Sequence, residues 1–407
     1  MSIFEQSKQF CTWSHSASSF IVKLQEKEGE NNMHKKLLIA PFIAMIVLSM
    51  IFISTQIPMT KMAPKELPVG FVVSDEGPLA ITLAENLQKA LAGNEAVKVV
   101  AFENEQQMMD ALNERELYGA IVVPEGFSSS VQSLATPNPS TPQMNYFINE
   151  GENANVSTML TNVFTQMNTQ INTIVRTQLV GQLTQVSATL QPAQVETFVA
   201  PIQANIQKVN ATGALAAAPT AFFQPLWFAA IIGAVLLFLA GKKANFQTKR
   251  EQLQFNAVQT VVAIVYAFIA GYFITWCTTW IVGFDFENFH TVALFVSLAV
   301  VSFLFLIQAS LAWIGLPVIA LYVLLMFYGL PLIQLAPEML PEFYQNYIVA
   351  WIPFKFLIEG LKDILFFGQG VMNASTSVLL WIFGVSIVLL WLKHAITKQV
   401  KVEEKSV

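Results

Sequence analysis

The chain has 407 residues, of which 54% are hydrophobic and only 12% charged, with a formal net charge of −5. A soluble globular domain carries about 25% charged residues, so this composition and a mean hydropathy of +0.52 exclude most soluble enzyme classes. No basic domain or aromatic–basic stripe points to nucleic acid as a partner.

A polar leader, residues 1–33, ends at Met33, a second methionine at which translation can begin. His34, Lys35 and Lys36 then flank an apolar run from Leu37 to Ser54. At 1.5 Å per helical residue that run just crosses a bilayer core of about 30 Å. Thr55-Gln56-Ile57-Pro58-Met59 is a poor cleavage site, so residues 34–54 are expected to be an uncleaved membrane anchor rather than a signal peptide.

Residues 55–221 are largely polar and read as an extracytoplasmic domain. Leu67–Val73, Val97–Phe102, Tyr118–Val123 and Met144–Ile148 are short apolar runs bounded by turn residues, which predicts four strands. Between them lie helical patterns, including Leu79, Leu83, Leu87 and Leu91 at every fourth position. Strands alternating with helices predict a small α/β sheet. From Asn153 to Leu190 the apolar positions Val156, Leu160, Val163, Met167, Ile171, Ile174, Leu179, Leu183, Val186 and Leu190 recur at helical spacing. This predicts a long amphipathic helix, buried against a second copy or against a helix from Ala193 to Asn210.

Residues 222–393 are almost continuously apolar and predict five further spans. These run over Phe222–Ala240, Asn256–Val282, Thr291–Trp313, Val318–Leu335 and Ser377–Leu392. The fold class expected is thus a polytopic helical membrane protein, with six transmembrane helices and the α/β domain inserted between the first and second. Lys242, Lys243, Lys249 and Arg250 lie in one short loop, the next loop carries no Lys or Arg, and the tail 394–407 is basic. The positive-inside rule then predicts cytoplasmic termini in a bacterial plasma membrane, multi-pass. Trp227, Trp276, Trp280, Trp351, Trp381 and Trp391 fall near span ends, as interfacial anchors do.

Catalytic patterns are lacking. His15, His34, His290 and His394 have no carboxylate and nucleophile in a recognisable arrangement, and Asp285, Glu287 and His290 read as a solvated loop. Cys11 and Cys277 cannot form a disulfide framework. No phosphate-cradling Gly-x-x-x-x-Gly-Lys-Ser/Thr loop occurs, so the chain does not bind nucleotide in that manner. No catalytic, metal or cofactor site is expected, and no cofactor. Ser74-Asp75-Glu76-Gly77 reads as a strand-ending turn. Gln308, a polar residue inside a span, reads as an interhelical hydrogen-bonding group.

The segment 337–368 is too apolar for a loop and too interrupted to span. Glu359 precedes Lys362 by three positions and Asp363 by four, so these charges share a helical face. A re-entrant hairpin is expected, containing Pro353, Glu359, Gly360, Lys362 and Asp363.

The layout resembles the permeases of the ABC-type-2 transporter superfamily, in the branch that includes the phage infection protein (Pip). The resemblance rests on the leading span, the large insertion, the clustered spans and the hairpin before the last span. It also rests on Leu67–Gly77, Tyr118–Ser128, Tyr146–Asn153 and Pro353–Gly368. It implies a permease subunit with a separate ABC ATPase as partner; its motifs identify no substrate, and a path lined mainly by Phe, Leu and Ile with few charges leads to the expectation of export of a lipid-like or amphipathic one. A second permease half, identical or related, and membrane lipid are the other implied partners. Lys242, Lys243, Phe246, Lys249, Arg250 and Leu253, within Gly241–Gln254, would form the loop that couples to the ATPase. A non-transporting cell-surface scaffold or phage receptor has the same layout and stands as the alternative.

Overall fold

A computed structural model describes residues 64–92, 95–134, 136, 139–186, 199–244 and 246–396. The leader, the run Leu37–Ser54, residues 187–198 and the tail beyond 396 lie outside the described residues.

Strand β1 (Leu67–Val73) pairs in parallel with β2 (Val97–Ala101) and with β3 (Gly119–Val123). Strand β4 (Gln143–Asn149) runs antiparallel to β3, and β5 (Gln203–Val209) joins β4 in parallel, giving the order β2-β1-β3-β4-β5. Helix α1 (Pro78–Ala92) starts on the proline whose fixed φ suits a first turn. Helix α2 (Glu105–Asn113) is capped by Asn104, whose side chain accepts from the Gln107 N–H at 2.9 Å. Strand side chains alternate between two faces. Val72, Ala120, Val122 and Phe147 meet Met108, Ala111 and Leu112 of α2. Val69, Phe71, Ile121, Tyr146 and Ile148 lie instead in the core shared with α1, α3 (Phe127–Ser133) and α4 (Ala154–Val186).

The four expected strands are present, and the fifth replaces an expected helix. In the described part of Ala193–Asn210, Gln203–Val209 is a strand. Asn172 on α4 explains the difference. Its Oδ1 accepts the Ile202 N–H at 2.6 Å and its Nδ2 donates to the Ile202 carbonyl at 2.9 Å. Asn168 donates to the same carbonyl at 3.2 Å. With both backbone groups of Ile202 engaged by α4, the chain continues along β4 rather than coiling.

Helix α4 begins at Asn153, whose side chain accepts from the N–H groups of Asn155 and Val156. Much of its apolar stripe is covered within the chain, though Ile174 is exposed. Val156, Leu160, Phe164, Ile171, Val175 and Leu179 are buried, and Phe164 stacks on Tyr146 of β4 at 5.2 Å. Over much of this length the sheet does burying for which a second copy was one expected partner.

A short turn, Gly213–Leu215, and the one-turn α5 (Ala218–Ala221) lead into α6 (Phe223–Lys243). Helix α7 (Lys249–Cys277) runs into a π-turn at Thr278–Val282 and is followed by α8 (Phe289–Ile314). Then come α9 (Val318–Ile333), α10 (Glu342–Tyr347), α11 (Lys355–Phe366) and α12 (Ala374–Ile396). Among the described residues four helices are long and apolar enough to cross a membrane: Gly213–Lys243, Lys249–Val282, Phe289–Ile314 and Ala374–Ile396. The expected fifth span is α9, whose 16 residues reach about 24 Å and fall short of a bilayer core.

Helix α8 is apolar all round and buried, with α6, α7, α9, α11 and α12 packed on it. Gly271 of α7 lets the Ser297 backbone of α8 approach, since a Cβ there would lie 2.5 Å from Ser297 Cα. Outward faces are apolar too: Val258, Val261, Val265, Ile269 and Phe273 on α7, and Trp381, Val385 and Val388 on α12, are all exposed. A contiguous exposed apolar belt on long helices marks a membrane protein. Trp276, Trp280 and Trp381 are exposed as anchors would be, but Trp227 is not an anchor. It is buried, donating from Nε1 to the Tyr322 carbonyl at 3.3 Å, with the Phe303 and Phe354 rings both edge-on at 5.2 Å.

Candidate functional site

Two clusters of charge lie at opposite ends of the bundle. The first joins the α/β unit to the segment 337–368. Arg115 ends the turn after α2 with φ of 67°, in the left-handed region, while the Glu116 N–H returns to the Ala111 carbonyl at 2.9 Å. That turn aims the guanidinium at three carboxylates. Nε and Nη2 donate to Glu152 at 2.5 and 3.0 Å, Nη1 donates to Asp363 at 2.6 Å, and Nη2 also donates to Glu359. The Phe367 ring lies 5.0 Å from the guanidinium carbon. Lys362 donates to Glu359 at 3.1 Å and to the Glu152 carbonyl at 2.9 Å.

Further bonds surround this centre. The Tyr118 hydroxyl donates to Glu338 at 2.6 Å, and the Glu338 carbonyl accepts the Lys65 N–H at 3.0 Å. Asn153 and Asn155 both donate to the Gln334 carbonyl. On the neighbouring turn, Asn149 donates to the carbonyls of Leu112 and Leu117, and Glu150 pairs with Lys208 at 2.5 Å.

The electrostatics follow from this crowding. Burial works against the charge on Arg115, but the hydrogen bonds and charges of Glu152 and Glu359 overcome it and raise its pKa. Burial pushes Glu359 up, while Lys362 and Arg115 outweigh that and hold it below the usual carboxylate range. Burial, then Glu338, raises the Tyr118 hydroxyl. Every charged group in the cluster is engaged by another, and the cluster brings together no nucleophile with a base. Chemically it is a joint.

The structure thus brings Glu359, Lys362 and Asp363 together on α11, as their spacing predicts, and sets them against Arg115 and Glu152. Those two partners were not singled out from sequence. The available signal was that a shared charged face on a mostly apolar segment needs compensating charge. Gly360, on the same helix, sits under the Phe295 ring, where a Cβ would lie 2.2 Å from Cζ. Its carbonyl accepts from Asn373 at 3.3 Å. Pro353 is buried at the start of the helix, beside Ile352 and Phe354. With 12 residues, α11 is too short to span.

At the carboxyl ends of β1 and β3, away from this joint, open α/β sheets commonly bind ligands. Here Asp75 accepts from the N–H groups of Gly77 and Ser128 at 2.5 and 2.7 Å, and the Ser128 hydroxyl accepts from Ala80 at 3.1 Å. The turn satisfies itself.

The second cluster caps the other end of the bundle. Lys242 and Lys243 occupy the last turn of α6, and Lys249 and Arg250 the first turn of α7. All four are exposed, and Leu253 is 39% exposed beside them. The connection is short. Thr248 caps α7 by accepting from the Glu251 N–H at 3.2 Å, and Glu251 accepts from the Gln247 N–H at 3.0 Å. Phe246 is half-buried, its ring 5.3 Å from that of Phe255. Lys249 donates to the Ala395 carbonyl at 3.3 Å, tying α7 to the end of α12.

Among solved structures, the chain is similar to a domain of a proposed ABC type-2 transporter from Thermotoga maritima MSB8. That likeness has 20% identity and a TM-score of 0.22, and covers 35% of this chain and 84% of the other. No curated protein matches the chain. A family model described as a protein of unknown function (DUF3533) matches residues 37–388, which take in the α/β unit, the charged joint and the bundle. The chain therefore belongs to the DUF3533 family.

Proposed function

We propose that this protein is the permease subunit of an ABC-type exporter that moves a lipid-like or amphipathic substrate outward on energy from a separate ATPase. One observation carries the reading. A bundle of spanning helices with no phosphate-binding loop in its sequence ends in an exposed basic and apolar knob, Lys242, Lys243, Lys249, Arg250 and Leu253. In the ABC-type-2 permeases that the layout resembles, this loop is the one that docks on the ATPase. In this reading the knob is the ATPase-coupling loop and lies in the cytoplasm with both termini. The α/β unit stands outside, the segment 337–368 lines the path, and a second permease half, related as in the ABC-type-2 and phage infection protein group, completes it. A path walled by Phe, Leu and Ile suits an apolar substrate.

The test is purification of the complex in mild detergent from its own cells. A co-purifying ATPase that is lost from Leu253→Asp, with membrane level unchanged, is the expected result. Absence of any ATPase from the wild-type preparation would favour the non-transporting scaffold instead.

A further inference from the structure

A stripe of three aromatic rings stands exposed at the end of the bundle that carries the α/β unit. Phe343, Tyr347 and Trp351 recur at every fourth position through α10 and the 3₁₀ turn Val349–Trp351 that follows it. Among the described residues they are 59%, 68% and 59% exposed. The Phe343 and Tyr347 ring centroids lie 5.8 Å apart, and Trp351 donates from Nε1 to the Tyr347 carbonyl at 2.6 Å. The opposite face, with Tyr344, Val349 and Ile352, is buried. Upstream, Glu338 accepts from Tyr118 of the α/β unit, which fixes the end of the bundle to which the stripe belongs. Packing thus turns the largest apolar surfaces of this segment outward.

The depth of the stripe can be read from the helices it rests on. Three positions after Trp351, the Phe354 ring lies 4.5 Å from that of Phe223, the first residue of α6, and a Cβ on Gly329 of α9 would lie 2.5 Å from its Cζ. From Phe223 to Lys243 at the basic end, α6 rises about 30 Å. That is the hydrocarbon thickness of a bilayer. With the lysines at one headgroup layer, Phe354 and Trp351 stand at the other. Helix α7 gives the same level independently. From Lys249 to Trp276 it rises about 40 Å, a bilayer with its headgroups, and there the exposed Trp276 and Trp280 rings stack at 5.3 Å. The stripe also continues the outward apolar belt, because α9, on which the turn Val349–Trp351 packs, carries exposed Leu321 and Phe327. From Pro337 to Phe354 there is no Lys or Arg, and the Trp351 indole N–H is already engaged. Glu342 and Asn346, both exposed, edge the rings with polar groups. Large rings edged by polar groups at this depth suit the boundary between acyl chains and headgroups.

We propose that Phe343, Tyr347 and Trp351 insert at the headgroup–acyl boundary of the leaflet on the α/β side, so that residues 341–352 lie on the bilayer as an interfacial element rather than re-entering its core. The contact stands whether or not an ATPase docks at the basic end and whether or not the buried face of the segment lines a path, because it rests on the exposed rings and their depth alone.

The full chain in phosphatidylcholine vesicles tests it, with nitroxide labels on Phe343→Cys, Tyr347→Cys and Trp351→Cys, one at a time, in a background lacking Cys11 and Cys277. Ser140→Cys, exposed on the α/β unit, marks water, and Val265→Cys, exposed on α7, marks the acyl core. The ratio of collisions with oxygen to collisions with a water-soluble nickel chelate is expected to fall between those marks, several-fold above Ser140→Cys. A ratio equal to that of Ser140→Cys would leave the stripe in water, and one equal to that of Val265→Cys would make the segment re-entrant. Exclusion of both reagents would mean that a second copy or another protein covers the rings. Each of these three results overturns the proposal. Because a label can disturb packing, native Trp351 gives a second reading. Wild type and Trp351→Phe, which keeps a ring, are compared in lipid brominated close to the headgroup. Trp351→Phe is expected to lose part of the quenching of tryptophan fluorescence by these shallow bromines, and quenching equal to wild type would take Trp351 out of the lipid and the proposal with it.

Discussion

Arg115 and Asp363 are 248 positions apart in the chain, yet Arg115 Nη1 lies 2.6 Å from Asp363 Oδ1. That bond ties the turn before β3 to the middle of α11. Because α11 presses Gly360 against Phe295 of the buried α8, the sheet and the core of the bundle are mechanically continuous.

Removing the hub of the joint should be costly. Arg115→Ala leaves Glu152, Glu359 and Asp363 with only Lys362 beside them, and a broken buried pair typically costs about 3–5 kcal/mol. Arg115→Lys should recover little, because one ammonium cannot engage three carboxylates in a planar fork. Thermal melting in detergent, with limited proteolysis of the α/β unit, measures both. Adding Glu152→Gln and Asp363→Asn to Arg115→Ala should restore part of the loss. A melting temperature for Arg115→Ala equal to wild type would show that the pairs are not holding the two parts together.

Gly360→Ala tests the contact between α11 and α8. The added methyl would stand 2.2 Å from Phe295 Cζ and 3.0 Å from Ser375 Cβ, so helix and ring must separate. Overpacking of this kind costs about 1–3 kcal/mol. Pairing it with Phe295→Leu should return the loss, and a failure to do so would place the strain elsewhere.

Much of this was legible in the sequence, for identifiable reasons. The strands Leu67–Val73 and Gly119–Val123 are apolar runs closed by turn residues, and their burial on both faces made the signal plain. Strand Gln203–Val209 was not legible, because its residues are largely polar and its conformation is set by Asn172, some 30 positions earlier in the chain. Trp227 sat near a span end like its exposed counterparts, and only packing against Phe303 and Phe354 distinguishes it. For the joint, the periodicity of α11 put Glu359, Lys362 and Asp363 on one face. Arg115 carried no local pattern, since its role depends on a left-handed turn and a tertiary approach.

Acid should loosen the joint, and the sign is fixed by the directions of the shifts. Glu359 is held below its ordinary value of 4.5 although burial opposes this, because Lys362 and Arg115 favour its charged form. Glu150 is lowered from 4.5 by its bond to Lys208. Asp75 is lowered from 3.8, with the N–H groups of Ser128 and Gly77 outweighing burial. Each depressed carboxylate contributes stability that is full above its unfolded value and fades as pH falls through the folded one. Melting temperature should therefore be insensitive to these groups at neutral pH and fall from about pH 4.5 downward, with Glu359→Gln giving a shallower fall. An unchanged slope in that variant would mean that Glu359 does not titrate with unfolding.

The proposed orientation is open to a direct test. Lys242, Lys243, Lys249 and Arg250 cluster at one end of the bundle, whereas the α/β unit joins the other through Arg115 and α11. Helix α6 has 21 residues, about 32 Å of rise, so its two ends belong to opposite faces of a bilayer. Short basic loops tend to stay in the cytoplasm because their translocation is disfavoured, and on that rule the sheet is expected outside. Single cysteines at Ser140 and at Gln247, both exposed, report the two faces in a background lacking Cys11 and Cys277. A membrane-impermeant maleimide on intact cells should label Ser140→Cys readily and Gln247→Cys only after permeabilisation. The reverse pattern would invert the protein and remove the basic knob from reach of any cytoplasmic ATPase. Equal labelling of both in intact cells would mean that α6 does not span the membrane.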